Sequence, residues 1–210
     1  MEYSFHLYNK LAVDGISMAL HSLLQEQISL KISQNRGAGL SRTPSYDDFT
    51  HASPIVVCVG SDLAIGDSLG PIVGSMLRYK TQGLNTFIYG TLSSPVTAKE
   101  IKYLRSHLKT THKKRTVIVV DAAIGAQGDI GTIKLSNTPL YPGAGANKKL
   151  GAIGDLSIMG IVAEKSIANY ALLNTTRLNL VYSMSEIIAS ALSNVLYNLQ
   201  ENTAMKAKIL

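Results

Sequence analysis

Residues 55–71 read IVVCVGSDLAIGDSLGP. The first five residues are all apolar, which is typical of a strand that is covered on both faces of a sheet. A loop with glycines follows, and residues 68–80 then carry the apolar spacing of a helix. This order of strand, loop and helix is the unit from which mostly parallel α/β sheets are built.

The same alternation continues along the chain. The run TVIVVD (116–121), with four consecutive apolar residues, is a second candidate for a strand covered on both faces, and a helix is predicted before it. The predicted strands are 55–60, 85–90, 116–121, 131–136, 156–163 and 177–182, and the predicted helices are 68–80, 97–112 and 184–200. Thr97 with Glu100, and Ser183 with Glu186, have the spacing of a helix-capping box. The pattern predicts an α/β domain with a mostly parallel central sheet and right-handed crossovers.

The N-terminal region has a different pattern. Residues 14–32 carry apolar residues at close to helical spacing, which predicts one amphipathic helix. Residues 33–53 are rich in Gly, Ser, Thr and Asp, and this composition predicts a flexible connector. We therefore expect an N-terminal extension at 1–53 and an α/β domain at 54–210.

Composition excludes several classes of protein. The chain has 210 residues, 46% of them hydrophobic, so it can bury one core and is not disordered throughout. The single cysteine, Cys58, cannot form a disulfide within the chain, which favours the reducing cytoplasm. No run of about 18 apolar residues is present, so we expect no membrane span.

The net charge of +6 could suggest a nucleic-acid partner. The basic residues are scattered, however, except for one cluster at residues 109–115. That cluster lies where a predicted helix ends, and cations are favourable at a helix C-terminus without any ligand. We therefore predict no specific nucleic-acid binding.

Two acids are placed where parallel sheets bind their ligands. Asp121 ends the run VIVVD, and Asp67 follows the strand at 55–60 through a short loop, so both should lie at the carboxyl ends of strands. Two neighbouring carboxylates cannot both ionise cheaply, so one holds a proton and the pair can act as base and acid on a peptide carbonyl. The alternative is that Asp67 only caps the following helix.

Two glycine-rich loops accompany these acids. The first contains Gly60, Gly66 and Gly70, but its spacing fits neither dinucleotide nor P-loop motifs. The second spans 141–155, and the residues of this loop that we expect to hold a substrate are Gly143, Gly145, Asn147, Lys148 and Asp155. Asp155 could equally be a solvated or capping residue. A phosphate ligand is disfavoured at both loops because paired acids repel anions.

Other catalytic arrangements are not indicated. The sequence has no G-x-S-x-G or H-E-x-x-H motif, and its five histidines lie outside both glycine-rich loops. Cys58 lies within an apolar strand, so we expect a core residue rather than a nucleophile.

The motifs carry a family resemblance. The segment at 56–71 resembles the strand and loop that bear the first catalytic acid of the spore germination protease family, with matches at Gly60, Asp67, Leu69, Gly70 and Pro71. VIVVDAAIG (117–125) resembles the strand of the second acid, and YPGAGANKK (141–149) resembles that family's Pro-Gly-x-Gly loop. The sequence also resembles the YyaC-type sporulation proteins, in which IGDLSIMGIV and NTTRLNLV have near counterparts as well.

The resemblance spans roughly residues 53 to 200 and implies a three-layer α/β/α sandwich like that of the hydrogenase maturation proteases. It further implies an atypical aspartic endopeptidase of sporulation or germination, with Asp67 and Asp121 as catalytic acids, a protein or peptide substrate and a location in the forespore or spore interior. No cofactor is expected, and no metal, because the metal-site histidine of the hydrogenase enzymes has no counterpart. A non-catalytic sporulation protein that binds a partner peptide is the alternative, and a homo-oligomer is left open.

Overall fold

The structure is a computed structural model that describes residues 1–35, 53–113, 115–142, 151–165 and 176–209. Its helices are α1 (Ala12–Asn35), α2 (Leu69–Lys80), α3 (Ile101–Thr111) and α4 (Leu178–Ile209). Its strands are β1 (Glu2–His6), β2 (Ile55–Cys58), β3 (Phe87–Tyr89), β4 (Val117–Gly125), β5 (Thr132–Ser136) and β6 (Leu156–Glu164). Short 3-10 helices span Ile65–Ser68 and Gln127–Asp129.

The six strands form one mixed sheet in the order β1-β5-β6-β4-β2-β3. β3, β2, β4 and β6 are parallel, whereas β5 is antiparallel to β6 and β1 is antiparallel to β5. The predicted α/β class and mostly parallel sheet are confirmed. As expected for central strands, β2 and the first four residues of β4 are buried throughout.

Helices cover both faces of the sheet, which gives three layers. On one face, α1, α2 and α4 pack on alternate residues of the central strands, such as Val56 and Ile118. On the other face, α3 packs on the intervening residues, such as Val57 and Val119. The side chains alternate between two separate cores because successive residues of a strand point to opposite faces.

The sequence indicated a domain boundary near Pro54, and the N-terminal segment before it shares the core of the α/β domain. β1 forms a strand of the sheet, with Tyr3 opposite Leu135. The buried face of α1 belongs to the same core as the sheet and consists of Ile16, Ala19, Leu20, Leu23 and Leu24. An amphipathic helix must bury its apolar face, and here β5, β1 and α4 cover it. Most of the expected connector, residues 36–52, lies outside the described residues.

The predicted strand at 177–182 is wrong, because α4 begins at Leu178. Val181, Met184 and Ile188 are fully buried at helical spacing. A short apolar run does not distinguish a strand from a buried helix, and here the period continues into the following residues. Ser183 therefore lies inside α4 and cannot be the cap that its spacing with Glu186 suggested.

The other helix start agrees more closely with its capping signal. The Thr97 backbone N–H donates to Glu100 Oε2 at 2.9 Å, which is the contact that the capping-box spacing predicts. α3 itself begins at Ile101, so residues 97–100 form a turn that leads into the helix.

Truncating α1 in the core tests its place in the domain. Leu20 is 1% exposed, so Leu20→Ala should lower the free energy of unfolding by about 2–5 kcal/mol through lost burial and a residual cavity. Met18, on the same helix, is 75% exposed, and Met18→Ala should change it by less than about 0.5 kcal/mol. Urea unfolding followed by circular dichroism gives both values, and equal values would contradict the shared core.

Candidate active site

The candidate site lies next to β2, where the chain stops adding strands on one side of the sheet and continues on the other. The chain leaves β2, returns to the sheet as β3 on one side, and then crosses to β4 on the other side of β2. Its two connecting helices, α2 and α3, lie on opposite faces. Such a switch point opens a crevice at the carboxyl ends of the two diverging strands, which is where open α/β sheets bind their ligands.

Asp67 is brought to this crevice by a tight loop after β2. The Ser61 N–H donates to the Asp67 carbonyl oxygen at 3.1 Å, and the Asp67 N–H donates to the Ala64 carbonyl at 3.0 Å. The Gly60 N–H donates to the Val96 carbonyl at 3.0 Å, which ties the loop to the segment after β3. These bonds fix the backbone of the turn, so Asp67 does not depend on side-chain packing alone for its position.

The glycines of the first loop allow backbone to approach backbone. A Cβ at Gly60, where φ is +140°, would lie 2.1 Å from the Asp67 carbonyl oxygen. A Cβ at Gly70 would lie 2.0 Å from the Val59 carbonyl oxygen, so Gly70 lets α2 begin directly on the end of β2. Gly66 is buried in the intervening 3-10 helix. The three residues thus build the turn that carries Asp67, and direct contact with a substrate stays a prediction.

Asp121 lies on β4 at the point where β2 stops. The Val59 N–H donates to the Val120 carbonyl at 2.7 Å as the last bond between these strands, and Asp121 follows. The Asp121 side chain accepts a hydrogen bond at Oδ1 from the Ala122 N–H at 2.9 Å. The carboxyl group is therefore held at the strand end by the neighbouring backbone.

The two acids interact electrostatically. Burial raises the pKa of Asp121 well above its ordinary value, the negative charge of Asp67 raises it further, and the hydrogen bond from Ala122 lowers it. Asp121 therefore keeps its proton to a higher pH than an ordinary aspartate does. The electrostatic interaction brings together the two residues that the sequence proposed as a pair. The N-cap position of α2 is Ser68, and Asp67 precedes it by one residue.

Asp155 lies at the amino ends of the parallel strands, opposite the end that carries the acid pair, which corrects its predicted place beside the acids. Its Oδ2 forms an ion pair with Lys31 at 2.7 Å and accepts the Val117 N–H at 2.8 Å. Val117 begins β4, about 13 Å before Asp121 at the usual rise per strand residue. Asp155 precedes β6, and residues that precede parallel strands lie at their amino ends. It therefore fastens α1 and β6 to β4.

The other predicted loop residues, Gly143, Gly145, Asn147 and Lys148, lie outside the described residues. Cys58 is fully buried in β2, and burial raises its thiol pKa, as expected of a core residue. In the described parts of the chain, no three His, Cys, Asp or Glu side chains gather as metal ligands would. Within the same parts, none of the helices is long and apolar enough to cross a membrane.

The sequence did not indicate Gly160 and Ser185, which both lie against Leu69 at the start of α2. A Cβ at Gly160 would lie 2.9 Å from a methyl group of Leu69, so this glycine makes room for the first residue of α2. Ser185 of α4 donates to the Leu69 carbonyl at 3.3 Å. An isolated glycine in the apolar run IMGIV is a sign of close approach and could have indicated Gly160. No comparable signal marks Ser185.

Gly60→Ala should displace the turn that carries Asp67. The added methyl group would overlap the Asp67 carbonyl, and φ of +140° is strained for alanine, so we expect a loss of more than about 2 kcal/mol in unfolding free energy. Gly128→Ala is the matched control, because a Cβ there meets nothing within 4 Å. Thermal or urea unfolding measures both variants, and a Gly60→Ala protein as stable as the control would show that the turn is not closely packed.

Asp121→Asn should stabilise the protein at neutral pH. With its pKa raised, folded Asp121 keeps a proton that the unfolded chain loses above about pH 4, so its favourable contribution is complete below that pH and is lost as pH rises through the folded pKa. Asn removes this loss and can still accept the Ala122 N–H. The gain over wild type should be largest at pH 7 and fade towards pH 4.

The control for this pH dependence is Asp62→Asn, which alters an exposed acid of the same loop and should leave the pH profile of stability unchanged. Urea unfolding at a series of pH values from 4 to 8 gives the profiles. An Asp121→Asn variant that is less stable than wild type at pH 7 would contradict the assigned protonation.

Comparisons with known proteins now identify the relatives. The family model described as "Protein of unknown function (DUF1256)" matches residues 31–191. The chain is 44% identical over 140 residues to "Uncharacterized protein YyaC" of Bacillus subtilis (strain 168), covering 66% of this chain and 67% of that protein. Among solved structures it is similar to the [NiFe] hydrogenase maturation protease HycI from Thermococcus kodakarensis KOD1, with 18% identity, a TM-score of 0.45, and coverage of 69% of this chain and 93% of that chain. The family match covers most of the chain, which therefore belongs to the DUF1256 family.

Proposed function

We propose that this protein is an atypical aspartic endopeptidase in which Asp67 and Asp121 hydrolyse a peptide bond. One observation carries the proposal: Asp121, whose pKa is raised by burial and by Asp67, lies close to Asp67 at the switch-point crevice of the sheet. Environments that differ in this way within one pair of acids are the arrangement that separates a general acid from a general base.

The two acids then have complementary roles. The Asp67 carboxylate takes a proton from a water molecule while the water oxygen attacks the scissile carbonyl carbon. Protonated Asp121 donates its proton to the carbonyl oxygen, so a neutral tetrahedral diol forms. Proton transfer to the amide nitrogen then allows the C–N bond to break, and the carboxylic acid and the amine leave. Every proton in this cycle moves between water, substrate and the two acids.

The surroundings favour a peptide with an apolar residue near the scissile bond. Leu63 and Ile65 lie on the same turn as Asp67 and are 91% and 37% exposed. A large exposed apolar side chain next to a polar pair has no role in the core, and it gives a substrate side chain a surface to cover. The biological setting that we propose, sporulation or germination within the forespore, is supported only by the resemblance to the spore germination proteases.

A non-catalytic peptide-binding protein is the second candidate, and one observation favours it. Asp121 Oδ1 accepts the Ala122 N–H, which β2 leaves without a strand partner. This hydrogen bond gives Asp121 a structural role that does not require catalysis. The crevice could then hold a partner peptide without cleaving it.

Cleavage of a peptide mixture separates the two candidates. Purified protein is incubated with synthetic ten-residue peptides of varied sequence, and new termini are identified by mass spectrometry. Wild type should produce new termini, and Asp67→Asn or Asp121→Asn should lower their rate of appearance by at least about a thousandfold, since one member of a pair cannot serve as both acid and base.

The matched control is Asp62→Asn, which removes an exposed acid of the same turn and should retain the wild-type rate. Folding of each variant is checked by circular dichroism, so that lost cleavage is not mistaken for unfolding. Cleavage that persists in both Asn variants would exclude the paired-acid mechanism. Binding of peptides without cleavage by the wild type would favour the second candidate.

A further inference from the structure

β4 continues past the end of its neighbour β2. The two strands pair from Ile55 opposite Val117 to Cys58 opposite Val120, and then β2 gives way to the loop that leads to Asp67. β4 runs on for five residues, from Asp121 to Gly125, and β6 pairs with all of these on the other side. Within the described ranges of the chain, no strand pairs with this edge of β4 from Asp121 onward.

The alternation of the backbone shows which groups point to this open edge. The carbonyls of Thr116 and Val120 accept hydrogen bonds from β2, at 2.8 and 2.7 Å, so even-numbered residues of β4 direct their N–H and C=O to that side. Odd-numbered residues face β6, as the bond from the Lys165 N–H to the Gly125 carbonyl at 2.7 Å shows. Ala122 and Ile124 therefore face the open edge.

Three backbone groups are available there. The Ala122 N–H is already bonded to Asp121 Oδ1. Among the residues that the structure describes, no hydrogen-bond partner is found on this side for the Ala122 carbonyl or for the N–H and carbonyl of Ile124. Ala122 and Ile124 are partly exposed, in contrast to the buried Val117–Val120. Backbone groups without a protein partner are normally hydrogen-bonded to water, which a ligand can replace.

The same geometry places the acid on this edge. The Ala122 N–H points to the open side, so the Asp121 oxygen that accepts it must also lie on that side. A chain that paired with Ala122 and Ile124 would consequently run beside the carboxyl group of Asp121. Three strand residues span about 10 Å, enough for about three residues of an extended peptide.

We propose that an extended peptide segment binds as an additional strand along the open edge of β4 at residues 121–125. Its backbone pairs with the Ala122 carbonyl and with Ile124, and this pairing leads one of its peptide bonds to Asp121. The inference rests on the proposed function for the identity of the ligand as a substrate. Main-chain pairing is indifferent to most side chains, so the substrate class is an unfolded or extended segment of a protein.

Backbone methylation of a bound peptide tests the added strand. Asp67→Asn protein, which binds without cleaving, is used to select binders from the synthetic ten-residue peptides. The best binder is then made with a single N-methyl group at each amide in turn, and each affinity is measured by fluorescence anisotropy. Methylation should weaken binding by about tenfold or more at alternate residues and have little effect at the residues between, because only every second N–H of a strand faces its neighbour.

A change in the protein gives an independent measurement. Ile124→Pro removes the N–H that faces the open edge and should also weaken binding about tenfold, whereas Gly128→Ala, where an added Cβ meets nothing within 4 Å, should bind like the parent. Amide hydrogen exchange of the parent protein should show the Ile124 N–H protected when peptide is bound, and this readout does not depend on the folding of the proline variant.

The outcomes are distinct from those of the cleavage assay. Alternating sensitivity with protection of Ile124 supports strand addition even if no cleavage is ever seen. Equal tolerance of N-methyl groups at all positions, no protection of Ile124, or the absence of any selected peptide would overturn it. Cleavage by the wild type together with uniform tolerance would keep the peptidase and reject this mode of binding.

Discussion

The contact between the start of α2 and the end of β2 is the constraint on which the site depends. At Gly70 the helix backbone lies so close to the Val59 carbonyl that any Cβ would come within 2.0 Å of it. At Gly60 the returning turn lies equally close to the strand end. Because of these two close approaches, the chain reverses direction within a few residues after β2, and Asp67 comes close enough to Asp121 of β4 to interact with it electrostatically. A bulkier side chain at either glycine would move the turn and separate the acids.

The environment of the acid pair disfavours a second negative charge beside Asp67. Burial and the charge of Asp67 both disfavour ionisation of Asp121, and the single bond from the Ala122 N–H offsets only part of this effect. Such an arrangement is typical of sites that are retained for function, since a polar pair at this position does not improve packing. The fully buried residues of β2 and β4 hold the strand ends in place beneath it.

The N-terminal segment is part of the scaffold and not an appendage. β1 extends the sheet beyond β5, and α1 covers the face that β5 and α4 would otherwise leave open. Lys31 near the end of α1 reaches Asp155 and the Arg115 carbonyl, at 2.7 and 2.9 Å, and so connects the helix to the amino ends of β4 and β6. These contacts lie at the amino ends of the strands, and the acid pair lies at their carboxyl ends.

The sequence by itself determined the class of fold and the two acids. The run VIVV (117–120) is apolar at every residue, which is typical of a strand covered on both faces, and the alternation of such runs with helical periods indicated the central strands. Asp67 and Asp121 could be paired because parallel strands bring their carboxyl ends to one edge. The tertiary structure decided the rest. EYSFH forms β1 only because β5 offers it an edge, and residues 177–182 are helical because their apolar face continues into α4. Asp155 is an acid beside a strand like Asp121, but it lies at the amino end, and its partner Lys31 is 124 residues away in the chain. The open edge of β4 arises from the difference in length between two paired strands. Register and strand length depend on contacts between distant segments, and no local pattern of residues encodes them.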